Sequence, residues 1–203
     1  MATIKDKPTR VAVIGDLVNS RAHRAHTHEA LMAGLASLPP EAADLAPTVG
    51  DEIQGDFPTL GSAIHATHLL RLSMLAHAAD IRFGIGVGEI VDIGDGIQDG
   101  SAWWHAREGL EAVENLAASP GWAGVRTGSP DIKAPLLAGL HLIDAHLSSL
   151  KPGVCDSLLG LLRGEANQDT ATRLGITASA NTQRIKSNNL RPLAAAIQAL
   201  WEA

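Results

Sequence analysis

The sequence predicts an α/β (α+β) protein in two parts, a ferredoxin-like sandwich over residues 1–150 and a small all-α helix-turn-helix domain over residues 151–203. Three observations carry that prediction. Between Arg10 and Arg126, apolar runs follow one another as strand, helix, hairpin, helix, strand, helix, strand. Lys151-Pro152-Gly153 then breaks an apolar helical stretch and marks a boundary. Beyond it, Ala171, Gly175, Ile176 and Ile185 have the spacing of two short helices crossing at a tight turn.

Each element has its own signal. Val11 to Ile14 form a short apolar run closed by Gly15-Asp16, a buried strand entering a loop. A His-rich segment follows, and the spacing predicts a helix over Glu29 to Leu38, stopped by Pro39-Pro40. Residues 45–57 read as two short strands around a Gly50-Asp51 turn, because both residues tolerate hairpin backbone angles. Ile64, Leu69, Leu72 and Leu75 predict a helix over Thr59 to Ala78. Ile81 to Ile90 alternate like a strand, with Gly84, Gly86 and Gly88 leaving one face bare for a closely packed helix or ligand. Gly94 to Gly100 read as a loop, Ser101 to Ala117 as a helix, Gly121 to Arg126 as a short strand and Leu136 to Leu150 as a helix. An antiparallel sheet follows from this order.

Composition excludes several classes. The chain has 203 residues, 45% hydrophobic and 19% charged, the mixture of a folded domain rather than a disordered one. Residues 1–7 lack the apolar segment of a secretion signal, and no run of about 18 apolar residues occurs, so a cytoplasmic location is expected. Cys155 stands alone, which rules out an internal disulfide and leaves it a small buried apolar side chain. Net charge is −6, but the residues from Arg163 onward carry +2 and the rest −8. An acidic body with a mildly basic tail suits a regulator better than a protein coated in nucleic acid.

In that tail, Val154, Leu158, Leu161 and Leu162 line one helical face ending at Gly164. Asn167 is placed to cap a helix over Gln168 to Leu174, and Thr177 to cap the next, with Ala180 and Ile185 inward. Thr177, Ser179, Thr182, Gln183, Arg184 and Lys186 are then the candidate DNA contacts, Gln183 for a base and Arg184, Lys186 and Arg191 for phosphates. Asn181 falls where an aliphatic side chain is usual. It predicts a looser helix or an outward contact. The alternative is a three-helix module that only dimerises or binds protein.

In a ferredoxin-like sheet the first strand lies beside the hairpin, so Asp16 and Asp51 approach one another. Two carboxylates on one pocket are a usual way to hold Mg²⁺ or Mn²⁺, and through it a phosphate. Capping of backbone groups is the plainer reading of each.

At this point the residues resemble a family. Val13 to Arg21, Thr48 to Gly55, Arg82 to Ile90 and Asp99 to Glu108, with the tail Leu174 to Lys186, resemble in order and spacing the SatD family of bacterial proteins, which is associated with acid tolerance in some bacteria. The same blocks are more distantly similar to class III nucleotide cyclases and diguanylate cyclases. That resemblance implies a cyclase-type sandwich, a nucleotide ligand, metal on Asp16 and Asp51, and a ligand site drawn from Asp16, Asn19, Arg21, Asp51, Glu52, Gln54, His105 and Arg107. The cyclases' Asn-and-Arg pair should lie near Trp104 to Glu108, where Arg107 is present and no Asn is. Cyclisation needs both groups, so binding is expected over turnover.

Other residues read more simply. His23, His26 and His28, and the pair His65 and His68, have ligand-like spacing without a completing cysteine or acid, which favours solvated or capping histidines over a metal site. Trp103 and Trp104 can stack a base beside Arg107, although core packing of one is the simpler expectation. The leading expectation is a homodimeric DNA-binding regulator that senses a nucleotide or related ligand. Its rivals are a metal-dependent enzyme acting on a nucleoside triphosphate, with the C-terminal helices used for oligomerisation, and a scaffold for protein contacts.

Overall fold

A computed structural model of the protein describes residues 9–48, 50–116 and 124–203. The chain runs from β1 (Arg10–Leu17) through α1 (Arg24–Ala36) into a hairpin, β2 (Ala46–Pro47) and β3 (Glu52–Phe57). Helix α2 (Leu60–Ala76) starts at Thr59, whose hydroxyl accepts the Ser62 amide at 3.1 Å in a capping box. Then come β4 (Ile81–Gly88), a second hairpin of β5 (Val91–Gly94) and β6 (Ile97–Asp99), α3 (Ser101–Leu116), and β7 (Val125–Thr127). Five helices end the chain or support it: α4 (Ala134–Ser149), α5 (Pro152–Leu162), α6 (Asn167–Arg173), α7 (Ala178–Ser187) and α8 (Leu190–Trp201).

The main sheet has the order β2-β3-β1-β4-β7. Four strands are antiparallel neighbours, but β7 runs parallel to β4, so the sheet is mixed and not wholly antiparallel as expected. The reason is the connection: a parallel neighbour needs a crossover, and α3 supplies it. The loop expected over Gly94 to Gly100 is instead the β5–β6 ribbon, a separate two-stranded sheet. Helix α1 also starts five residues earlier than predicted, inside the His-rich segment. Its exposed first turn needs no apolar residue, while Thr27, Ala30, Leu31 and Gly34 pack inward. The strand expected over Gly121 to Arg126 is β7, shifted by a residue or more, with 121–123 outside the described residues.

Alternation along the strands divides the core into layers. Val13, Ile53, Phe57, Phe83 and Ile85 face α1 and α2, whereas Ala12 and Ile14 face Ala102, Ala106 and Leu110 of α3. The bare face of β4 is covered by a helix. A Cβ on Gly84 or Gly86 would sit well inside contact distance of the carbonyl oxygens of Ala106 and Ala102, so α3 rests directly on the strand's backbone. A further core joins Leu69 and Leu72 of α2 and Leu147 of α4 to Leu158, Leu190 and Ile197. The break at Lys151-Pro152 is therefore a two-residue bend, Leu150-Lys151, between α4 and α5, across which one apolar core continues. Among the described residues no helix is long and apolar enough to cross a membrane.

Candidate functional site

The registers Asp16↔Glu52 and Asp16↔Arg82 put three ionisable residues side by side on the face of the sheet that carries α3. Arg82 donates to Oδ2 of Asp16 from Nε at 3.0 Å and Nη2 at 2.6 Å, and reaches Glu114 of α3 at 3.2 Å. Glu52 is gripped by both terminal nitrogens of Arg107, at 2.7 and 3.1 Å. Burial pushes the Asp16 carboxyl up even though Arg82 opposes it, and the charge of Asp51 adds to the rise. Arg107 holds Glu52 below its usual range.

Asp51 belongs to different surroundings. It accepts the Ser20 hydroxyl at 2.6 Å, and that bond, with Arg21 and Arg24 nearby, keeps its carboxyl below the ordinary carboxylate value. Ser20, Arg21, Arg24, His28, Gly50 and Asp51 line a cleft of about 730 Å³ between the start of α1 and the hairpin turn. Asp16 lines none of it. The two acids are close enough to repel but open in different directions, since Asp16 points to Arg82 and Asp51 to Ser20. A resident divalent cation fits this arrangement poorly: Asp16 is already neutralised by a guanidinium, and among the described residues no group of three His, Cys, Asp or Glu is placed to hold one.

The remaining residues expected in one site are divided among the faces. Gln54 and Arg107 line a second cleft of about 760 Å³ with Trp103 and Trp104, while Asn19 lines a third, of about 330 Å³, with His23, His26 and Asp80. His105 is structural, its ring Nδ1 lying 2.9 Å from the Val87 carbonyl oxygen. Of the pair His65 and His68, expected to be solvated or capping, His68 is fully buried and His65 half-buried. Tilted against Trp201, His65 makes a ring contact at 3.9 Å, and His68 is fully buried with Trp201 Nε1 3.4 Å from its Nδ1. Cys155 is buried as expected, and burial pushes its thiol up to about 12.

The C-terminal helices settle several details. Thr177 caps α7, accepting the Ala180 amide at 3.1 Å. Asn167 is the first residue of α6 and not its cap. It donates instead to the Ala178 carbonyl at 3.0 Å and to the Thr182 hydroxyl at 3.2 Å. Asn181 is buried, neither outward nor loosening the helix, because it accepts the Ser157 hydroxyl at 2.7 Å and donates to Asn167 at 3.0 Å. A short polar network thus replaces the aliphatic contact. Two expected DNA contacts turn inward with it: Thr182 bonds the Ala178 carbonyl, and Arg184 donates to the Gly153 carbonyl at 2.6 Å. Ala180, expected inside, is exposed together with Ser179, Gln183 and Lys186.

Arg82 was not singled out by sequence, nor was the fully buried Arg71, which pairs with Asp80 and Asp144. A signal for Arg71 existed. A charged residue amid Leu69, Leu70 and Leu72 in a helix apolar all round implies a buried partner. The SatD family profile matches residues 10–194. No curated protein and no solved structure matches the chain.

Proposed function

The chain belongs to the SatD family, and we propose that it is a cytoplasmic, homodimeric DNA-binding regulator controlled by a phosphate-bearing ligand such as a nucleotide. The observation that carries this reading is the outer face of α7. Ser179, Gln183 and Lys186 stand exposed on it, within a stretch, residues 170–201, that contains no Asp or Glu. With α6 and the turn at Gly175, this supports a helix-turn-helix whose second helix enters a major groove. The antiparallel order β2-β3-β1-β4, with α1 and α2 on one face, supports a ferredoxin-like core of the cyclase type, to which β7 adds a fifth strand.

The ligand's phosphate belongs in the cleft of Ser20, Arg21, Arg24 and His28. Neither arginine makes a hydrogen bond or ion pair among the described residues, so both are available to an anion. Binding is favoured over turnover because Asp16 is committed to Arg82. Helix α2 carries sheet contacts on one side and the core of α5 and α8 on the other, which gives ligand occupancy a packed route to α7.

Fluorescence anisotropy of the purified protein on DNA fragments selected from a random pool tests the reading. Sequence-selective binding that Gln183→Ala and Lys186→Ala each weaken about tenfold is expected. Equal affinity for all fragments in both the presence and absence of ATP or GTP with Mg²⁺ sinks it. For the ligand end, Arg24→Ala is expected to abolish the thermal stabilisation that a nucleotide confers.

A further inference from the structure

The second cleft, between β3, α3 and the β5–β6 ribbon, has a chemistry opposite to that of the phosphate cleft. Its volume of about 760 Å³ lies in the range of small-molecule sites. Trp104 is 61% exposed, yet its ring is held in place, because the indole N–H donates to Oδ1 of Asp99 at 3.0 Å. An exposed, oriented indole is a ready stacking surface, with little side-chain freedom left to lose on binding. Beside it, Trp103 carries a buried indole N–H that has no acceptor among the described residues. Gln54 from β3 and Gln98 from β6 each bring an amide donor and an acceptor to the same space.

Charge selects further. The one arginine lining the cleft, Arg107, is committed to Glu52, and Asp56 to Arg10, which leaves Asp44 and Glu108 as exposed carboxylates on the rim. An anion is unwelcome there. The ribbon that forms one wall is exposed at every residue from Asp92 to Asp99 and pairs with no strand of the main sheet. A two-stranded ribbon is marginal alone, so a ligand bridging it to β3 would brace it.

We propose that this cleft binds a planar heteroaromatic molecule without phosphate, neutral or cationic, stacked on Trp104 and hydrogen-bonded at its edge by Gln54 and Gln98. The site does not depend on the phosphate cleft, with which it shares no lining residue. Isothermal titration of the full chain with adenosine, the cation 1-methyladenosine and AMP tests it. Saturable binding of either nucleoside at one site per chain is expected, with AMP several-fold weaker when both are compared in the Arg24→Ala background, where the phosphate cleft no longer holds AMP. Trp104→Ala is expected to weaken nucleoside binding about tenfold, the loss typical of one stacked base. The exposed position keeps that variant folded, and Gln98→Ala, on the ribbon, gives a second, smaller loss. Arg24→Ala should leave nucleoside affinity unchanged, which separates this site from the phosphate cleft. No saturable nucleoside binding up to about 10 mM, AMP binding tighter than adenosine in the Arg24→Ala background, or full nucleoside affinity in Trp104→Ala would each overturn the proposal.

Discussion

The two ends of the main sheet use the same ion-pair chemistry under opposite conditions. Near β7, Arg71 is fully buried between Asp80, with Nε to Oδ1 at 2.9 Å, and Asp144, with Nη1 to Oδ1 at 2.9 Å, and it also donates to Ser148 at 2.8 Å. Asp144 in turn accepts the Val125 amide at 2.7 Å, so one network ties α2, α4 and β7 together. At the β3 end, Asp16–Arg82, Glu52–Arg107 and Arg10–Asp56 all keep partial contact with water. Arg71–Asp144, sealed from water on both sides, holds the fold because neither partner can turn to water instead. Pairs at the water boundary cost little to open, and the tryptophan cleft lies beside two of them, at Arg107 and Asp56.

Breaking the sealed end gives the largest effect. Arg71→Leu leaves Asp80 and Asp144 without their common cation, and a loss of about 3–5 kcal/mol in urea unfolding is expected. A loss under about 1 kcal/mol would make the network ornamental and erase the contrast between the two ends. Next is the seam under α3. Gly86→Ala drives a methyl into the backbone of Ala102 and Ala106, neither of which can swing aside as a side chain would, and a loss of about 1–3 kcal/mol is expected by the same measurement.

How much of this was legible depended on whether the signal was local. The helix over Thr59 to Ala78 and the turn at Gly50-Asp51 could be read because periodicity and turn residues are properties of the adjacent chain. The glycines of β4 announced a close neighbour but not its identity, since a helix and a ligand ask for the same bare face. Asp16 and Asp51 lie close enough to repel, as the strand order predicts, but the ion pair that turns Asp16 toward Arg82 lies across the sheet and carries no local mark. Asn181 was recognised as out of place, but its partners Ser157 and Asn167 come from two other helices. The β5–β6 ribbon has too few apolar residues for alternation to show.

Acid provides a smaller and graded test at the junction of α2 with α8. Burial pushes the His68 imidazole down to about 3, with Arg71 and His65 adding to the shift. The unfolded chain therefore takes up this proton first, near the ordinary histidine value of about 6.5. Stability from this residue is complete above that value and is lost as pH falls toward about 3, by up to about 1.4 kcal/mol per pH unit. Asp16 and Asp144, both pushed up mainly by burial, act in the opposite sense, holding a proton in the folded chain above the ordinary carboxylate value. Subtracting the pH profile of His68→Gln from that of the parent isolates the histidine slope. Profiles that run parallel from pH 6.5 to 5 would mean His68 is not sealed by Trp201.

The smallest effect on stability is expected at the water boundary, where it has the greatest consequence for binding. Glu52→Gln removes the charge that occupies Arg107, and because the pair is partly exposed the cost in urea unfolding should stay below about 1 kcal/mol. Among the described residues, Arg107 is then the one guanidinium lining the tryptophan cleft, freed from its Glu52 partner. AMP, disfavoured in the parent, gains a partner there, whereas adenosine gains nothing. Measured in the Arg24→Ala background, where the phosphate cleft no longer holds AMP, the affinity ratio of adenosine to AMP should narrow several-fold on adding Glu52→Gln, with little change in the adenosine value itself. If the ratio holds while stability drops by several kcal/mol, Glu52–Arg107 belongs with the sealed pairs near β7, and the open end of the sheet is smaller than its surface suggests.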